Sequence, residues 1–244
     1  NMFIKDKGLG YKALSMLESM QAANKEVEKT KGGTTACVGL VHESADGTRW
    51  AVIANVGDSA AFKRRANGEM VQLTREDSFI NMLTESGSLS PELLQRMKKT
   101  PDKPHPIPVT RALVKALGGG EKEYEKLHGQ DYPMTYKKLK AAATAGLGQG
   151  EPIASLSIRK LEEGDELIFA TDGLVDKFED PATEETNLKE LAIAASNGKT
   201  PIERINALRK EAKLRRTFKK DDDIAIVRVR IGKKAAKTSV QKAA

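Results

Sequence analysis

The sequence predicts an α+β sandwich, and three observations predict it. Strand signals and helix signals each come in blocks, without the regular alternation of a parallel α/β fold. The segment Trp50 to Val56 (WAVIANV) is apolar at both parities, which reads as a strand buried on both faces. Two turn signals, Ala45-Asp46-Gly47-Thr48 and Asn67-Gly68, join short strand candidates into hairpins. A chain of 244 residues with 39% hydrophobic content can bury a sizeable core.

The elements follow in order. Residues 10–29 carry Tyr11, Leu14, Leu17, Met20, Ala23 and Val27 at steps of three or four, the pattern of an amphipathic helix that ends at Gly32-Gly33. Residues 34–41 are rich in β-formers and read as a strand, with residues 50–56 as its hairpin partner. Gly57-Asp58-Ser59 is a tight turn. Residues 60–64 and 70–73 form a second hairpin about Asn67-Gly68. Residues 77–146 change character, with helical patches at 78–86 and 91–98 and then Pro-rich and Gly-rich runs. They read as a mobile excursion from the sheet. Strand signals resume at 153–158 and 166–171, helices are predicted near 186–197 and 201–214, and a closing strand at 224–231 follows Asp221-Asp222-Asp223.

Charge is unevenly placed. The net charge is +7, and residues 207–220 hold Arg209, Lys210, Lys213, Arg215, Arg216, Lys219 and Lys220 against the single acid Glu211. Residues 233–244 carry lysines and no acid, and are expected to be a basic disordered tail. The basic segment reads as a solvated helix face, and nucleic acid is not an expected partner, because aromatics barely interleave with these cations. One cysteine, Cys37, excludes an intramolecular disulfide and a Cys-rich metal site, and reads as a small buried hydrophobe. Trp50 is expected in core or sheet-rim packing. No apolar run approaches the ~18 residues of a membrane span, and no leader peptide is visible. A cytoplasmic setting without membrane association is therefore expected.

Two features point to chemistry. Asp172 ends an apolar strand and precedes a glycine, so its carboxylate is presented at a sheet rim. Asp221, Asp222 and Asp223 stand directly before another apolar strand, and adjacent carboxylates repel unless a cation lies beside them. A hard divalent ion such as Mg²⁺ or Mn²⁺ takes carboxylate oxygens. Asp-Gly is also a common turn and acidic runs are often solvated loops, so these segments alone leave both readings open.

The order of segments adds to this. Gly33-Thr34-Thr35-Ala36, Ala54-Asn55-Val56-Gly57-Asp58-Ser59-Ala60, Leu73-Thr74-Arg75-Glu76-Asp77-Ser78, Phe169-Ala170-Thr171-Asp172-Gly173-Leu174-Val175-Asp176 and Asp222-Asp223-Ile224-Ala225-Ile226-Val227 succeed one another along the chain. This succession resembles the metal-dependent protein phosphatases (PPM, type 2C) in their bacterial form, over about residues 12–232. The resemblance implies a sandwich of two antiparallel β-sheets flanked by helices, in one domain over residues 1–232 with a flap insertion at 77–146. It implies a cytoplasmic serine/threonine phosphatase of signal transduction, in which two or three Mn²⁺ or Mg²⁺ ions activate a water that attacks phosphoserine or phosphothreonine. By its motifs, Asp172 and Asp222 match ligands of a binuclear centre, while Asp77 and Asp176 match carboxylates that join Asp172 at a third ion. Gly57-Asp58-Ser59 is read as structural. Phosphoprotein substrates and a cognate Ser/Thr kinase are the partners implied.

The family's opening motifs are missing. No Arg on a first strand and no Asp-Gly-x-Gly-Gly turn precede Gly33, and Asp6 with Lys-Gly-Leu-Gly after it has neither that spacing nor a strand before it. The bridging Asp and the phosphate-binding Arg are thus absent from the chain, which, opening on Asn1-Met2, is expected to be a piece of a longer phosphatase. The alternative is a non-catalytic phosphatase-like domain for regulation or interaction.

Overall fold

The computed structural model describes residues 6–30, 32–77, 154–178, 186–215 and 223–233. The flap patches at 78–86 and 91–98, the acidic residues Asp221 and Asp222, and the tail beyond 233 lie outside the described residues. In chain order the elements are α1 (Lys7–Lys29), β1 (Ala36–Glu43), β2 (Arg49–Val56), β3 (Ala60–Arg64), β4 (Met70–Gln72), β5 (Ser155–Leu161), β6 (Glu166–Ala170), α2 (Asp172–Val175), a 3₁₀ turn (Asp176–Phe178), α3 (Leu188–Ala194), α4 (Pro201–Leu214) and β7 (Ile226–Arg230).

The strands make two antiparallel sheets, one ordered β1-β2-β5 and the other β4-β3-β6-β7. The expected sandwich of two antiparallel sheets flanked by helices is therefore found. Strand β2 is central in its sheet, paired Ala36 to Val56 with β1 and Arg49 to Leu161 with β5. Its residues 51–56 are all buried, as the apolar run at both parities requires. Ala51 and Ile53 of β2 pack with Ala61 and Leu167 between the sheets. Val52 packs outward against Leu9 and Ala13 of α1, and Ala54 and Val56 against Met20. On the far side, Phe62 and Ile168 pack under Leu174, Phe178, Leu191, Leu208 and Ala212, which seats α2, α3 and α4. Full burial of each large apolar side chain stabilises the fold by about 1.5–3 kcal/mol.

The sheets approach closely at Gly39 in β1. A Cβ there would lie 2.8 Å from Cε1 of Phe169 in the opposite sheet, so the ring occupies the space that any larger residue would need. Cys37 is half-buried in the same interior, and burial pushes its thiol up to about 12.

Helix α1 starts three residues earlier than its apolar period indicates, because Asp6 caps it. Asp6 Oδ1 accepts the Leu9 N–H at 2.9 Å. Its other oxygen accepts from the Ser44 hydroxyl and pairs with His42 Nε2 at 3.1 Å. The Trp50 indole N–H completes the group by donating to Ser44 Oγ at 3.1 Å. Trp50 thus packs against α1 and also ties the β1–β2 hairpin to the helix start. The Ser44 hydrogen bond, then the Leu9 N–H, hold the Asp6 carboxyl at about 2, below its ordinary 3.8. The stability this gives is complete above the ordinary value and is lost as pH falls through about 2. Asp6→Asn is expected to flatten the acid limb of a urea-denaturation profile over that window. A variant with the wild-type slope there would contradict the assignment.

Candidate active-site rim

The chemistry-bearing segments converge at the end of the sandwich where β2 ends, β6 ends and β7 begins. Strand β6 finishes at Ala170, paired with Ala60 on one side and Ile226 on the other. Thr171 is the N-cap of α2, so Asp172 is that short helix's first residue and stands half-buried at the rim. Its Oδ1 accepts the Gly173 N–H at 2.8 Å. One turn later, the Asp176 N–H bonds the Asp172 carbonyl, so the two aspartates are held on successive turns.

Thr171 joins this turn to the start of β7. Its hydroxyl donates to the Asp223 carbonyl and accepts the Ala225 N–H, each at 3.0 Å, and its own N–H bonds the Ala225 carbonyl at 3.2 Å. The Asp172 turn and residues Asp223 to Ala225 before β7 are thereby fixed side by side although fifty residues separate them in sequence. Asp223 itself is exposed. Asp222 lies outside the described residues.

Asp77 is placed by a reciprocal clasp. Its Oδ2 accepts the Gly57 N–H at 3.0 Å, and its N–H donates to the Gly57 carbonyl at 3.0 Å. Gly57 has φ +99°, a conformation that favours glycine. Asn55, 1% exposed in β2, braces the clasp from beneath, its amide donating to the Gly57 and Arg75 carbonyls at 3.3 and 3.1 Å. Ser59 and Thr35 share a hydroxyl hydrogen bond of 3.0 Å across the same turn. The Gly57-Asp58-Ser59 turn therefore has the structural setting expected of it, with Asp58 half-buried within it.

Of the four expected ligands, the structure holds Asp172 at the start of α2 and Asp176 at its C-cap, where the 3₁₀ turn begins, and ties Asp77 to the Gly57 turn. Among the described residues no three carboxylate, imidazole or thiolate groups gather as a cation would need. The described residues by themselves thus do not complete a metal site. Sequence reasoning did not single out Thr171 and Asn55. The signal for Asn55 was a carboxamide inside an otherwise apolar buried strand, and for Thr171 a hydroxyl directly before the Asp-Gly turn.

The family model described as Stage II sporulation protein E (SpoIIE) matches residues 133–232. No curated protein sequence matches the chain. Among solved structures, a bacterial serine phosphatase is 20% identical with a TM-score of 0.59, the match covering 91% of this chain and 71% of that one. The serine/threonine phosphatase Stp1 from Staphylococcus aureus gives 20% identity and a TM-score of 0.58, covering 89% of this chain and 67% of that one. The PPM Ser-Thr phosphatase MsPP from Mycobacterium smegmatis, solved with cacodylate, gives 21% identity and a TM-score of 0.53, covering 88% and 72%. The chain has the fold of the PPM phosphatases, and the resemblance read from its motifs is borne out. No helix among the described residues is long and apolar enough to cross a membrane.

Proposed function

We propose that the chain is a protein serine/threonine phosphatase, hydrolysing phosphoserine and phosphothreonine with the help of Mn²⁺ or Mg²⁺. The observation that carries this reading is the junction made by Thr171, which sets the Asp172 turn against residues Asp223 to Ala225 before β7 at the rim of a PPM-type sandwich. Asp172, Asp176, Asp77 and Asp222 are the carboxylates we assign to the ions. Their donor type suits hard divalent cations. A bound ion would supply the positive charge that phosphoryl transfer calls for. The chain's own contribution is to fix the carboxylates before substrate arrives, through the Gly57–Asp77 clasp and the Thr171 bridge. The substrates would be phosphoproteins, with a Ser/Thr kinase supplying them, and the setting would be the cytoplasm.

The test is release of phosphate from a phosphothreonine peptide by the complete purified protein. Activity is expected with Mn²⁺, to fall to background in EDTA, and to return when Mn²⁺ is restored. Turnover that persists undiminished in EDTA would overturn the metal-dependent reading.

A further inference from the structure

A second charged cluster lies far from the rim, at the opposite end of β6. Glu166, 2% exposed, opens that strand. It stands directly opposite Arg64 of β3 on one side and Arg230 of β7 on the other, forming an Arg-Glu-Arg row across three strands on one sheet face. Arg228, two residues along β7 on the same face, bonds Glu166 Oε2 and the Ala195 carbonyl. Arg204 of α4 reaches down to Glu166 Oε1 at 3.0 Å, and Arg64 Nη1 meets Oε2 at 3.3 Å.

Three guanidinium groups therefore hold one carboxylate, and exposed Arg230 occupies the neighbouring cross-strand position. Among the described residues, Glu166 is the one acid ion-paired with Arg64, Arg204 or Arg228. Their other contacts are neutral: Ser196 Oγ for Arg64, the Ala195 carbonyl for Arg228 and the Gly198 carbonyl for Arg204. The Arg64 Nε is buried with no acceptor among the described residues. Burial pushes the Arg228 guanidinium below its ordinary value, and Arg204 and Arg64 push the same way, against the pull of Glu166. The cluster opens to water on one side, because Arg230 is exposed and the Arg204 side chain is 23% exposed, while Arg64 and Arg228 stand behind them.

Excess positive charge held in a low-dielectric setting attracts a compensating anion, and guanidinium forks match the oxygens of tetrahedral oxyanions. We propose that Arg204 and Arg230, backed by Arg64 and Arg228, form a binding site for a small tetrahedral oxyanion of the phosphate or sulfate class. The site is separate from the rim and does not depend on the phosphatase reading.

Inorganic phosphate is the probe, added to the EDTA-treated full chain against chloride at matched ionic strength. Wild type is expected to gain about 2–4 °C in Tm at saturating phosphate. Arg230→Gln, at an exposed position without an ion partner among the described residues, and Arg204→Gln are each expected to lose more than half of that gain. Asp172→Asn, at the rim, is expected to keep it. No gain in wild type beyond the chloride control would overturn the proposal, as would an equal gain in both arginine variants. A gain abolished by Asp172→Asn would place the anion at the rim and overturn it equally.

Discussion

Replacing Glu166 with Gln is expected to destabilise the fold by about 3–5 kcal/mol, the range for removing one partner of a buried ion pair. Glu166 is the shared acceptor for arginines from β3, β7 and α4, and both its side chain and that of Arg228 are 3% exposed. The substitution keeps the shape and removes the charge, leaving three guanidiniums facing one another without a counterion. Chemical denaturation should report a lower midpoint with an unchanged m-value. The loss should shrink when Arg228→Met is added, because part of it is repulsion and desolvation of the arginines left behind. An additive double variant would place the effect elsewhere.

Gly57→Val is expected to cost about 2–5 kcal/mol, from two separable causes. The residue has φ +99°, unfavourable for a side chain by roughly 1–2 kcal/mol and more so for a β-branched one. An added Cβ would also lie 2.6 Å from Thr35 Cβ, and overpacking of that kind costs typically 1–3 kcal/mol. Thr35→Gly removes the obstructing atoms and should recover the second part and not the first. Because Gly57 holds Asp77 on both its N–H and its carbonyl, a shift of this turn should also lower the proposed phosphatase activity beyond what the stability loss explains.

The residues differ in how much they disclosed locally. The apolar period near 201–214 matches helix α4, whose start the structure seals with a capping box between Thr200 and Glu203 around Pro201. Strand β3 was likewise legible, being bounded by Gly57 and the Asn67-Gly68 turn. Strands β1 and β5 were placed two or three residues too early at their far ends. Their lengths are set by pairing with β2 out to Arg49, which no local pattern encodes. At the site, Asp172 was legible as the carboxylate ending an apolar strand. The Thr171 bridge was not, since its partners lie fifty residues away.

The arginines were the least legible. The basic segment 207–220 reads as a solvated face, yet Leu208 and Ala212 are buried in it, and the Arg215 guanidinium lies 4.3 Å from the Phe178 ring centroid while pairing with Glu211. Arg64, Arg204 and Arg228 come from three distant segments, and only the fold gathers them on Glu166.

The rim's function is tested most directly by comparing phosphate release from a phosphothreonine peptide in Mn²⁺ by the complete wild-type protein and its Asp172→Asn and Asp222→Asn variants, with circular dichroism verifying that each variant is folded. Both variants are expected to lose at least about a hundredfold in turnover, since they remove assigned ion ligands from an intact scaffold. A folded Asp172→Asn protein that turns over at the wild-type rate would contradict the assignment of the rim.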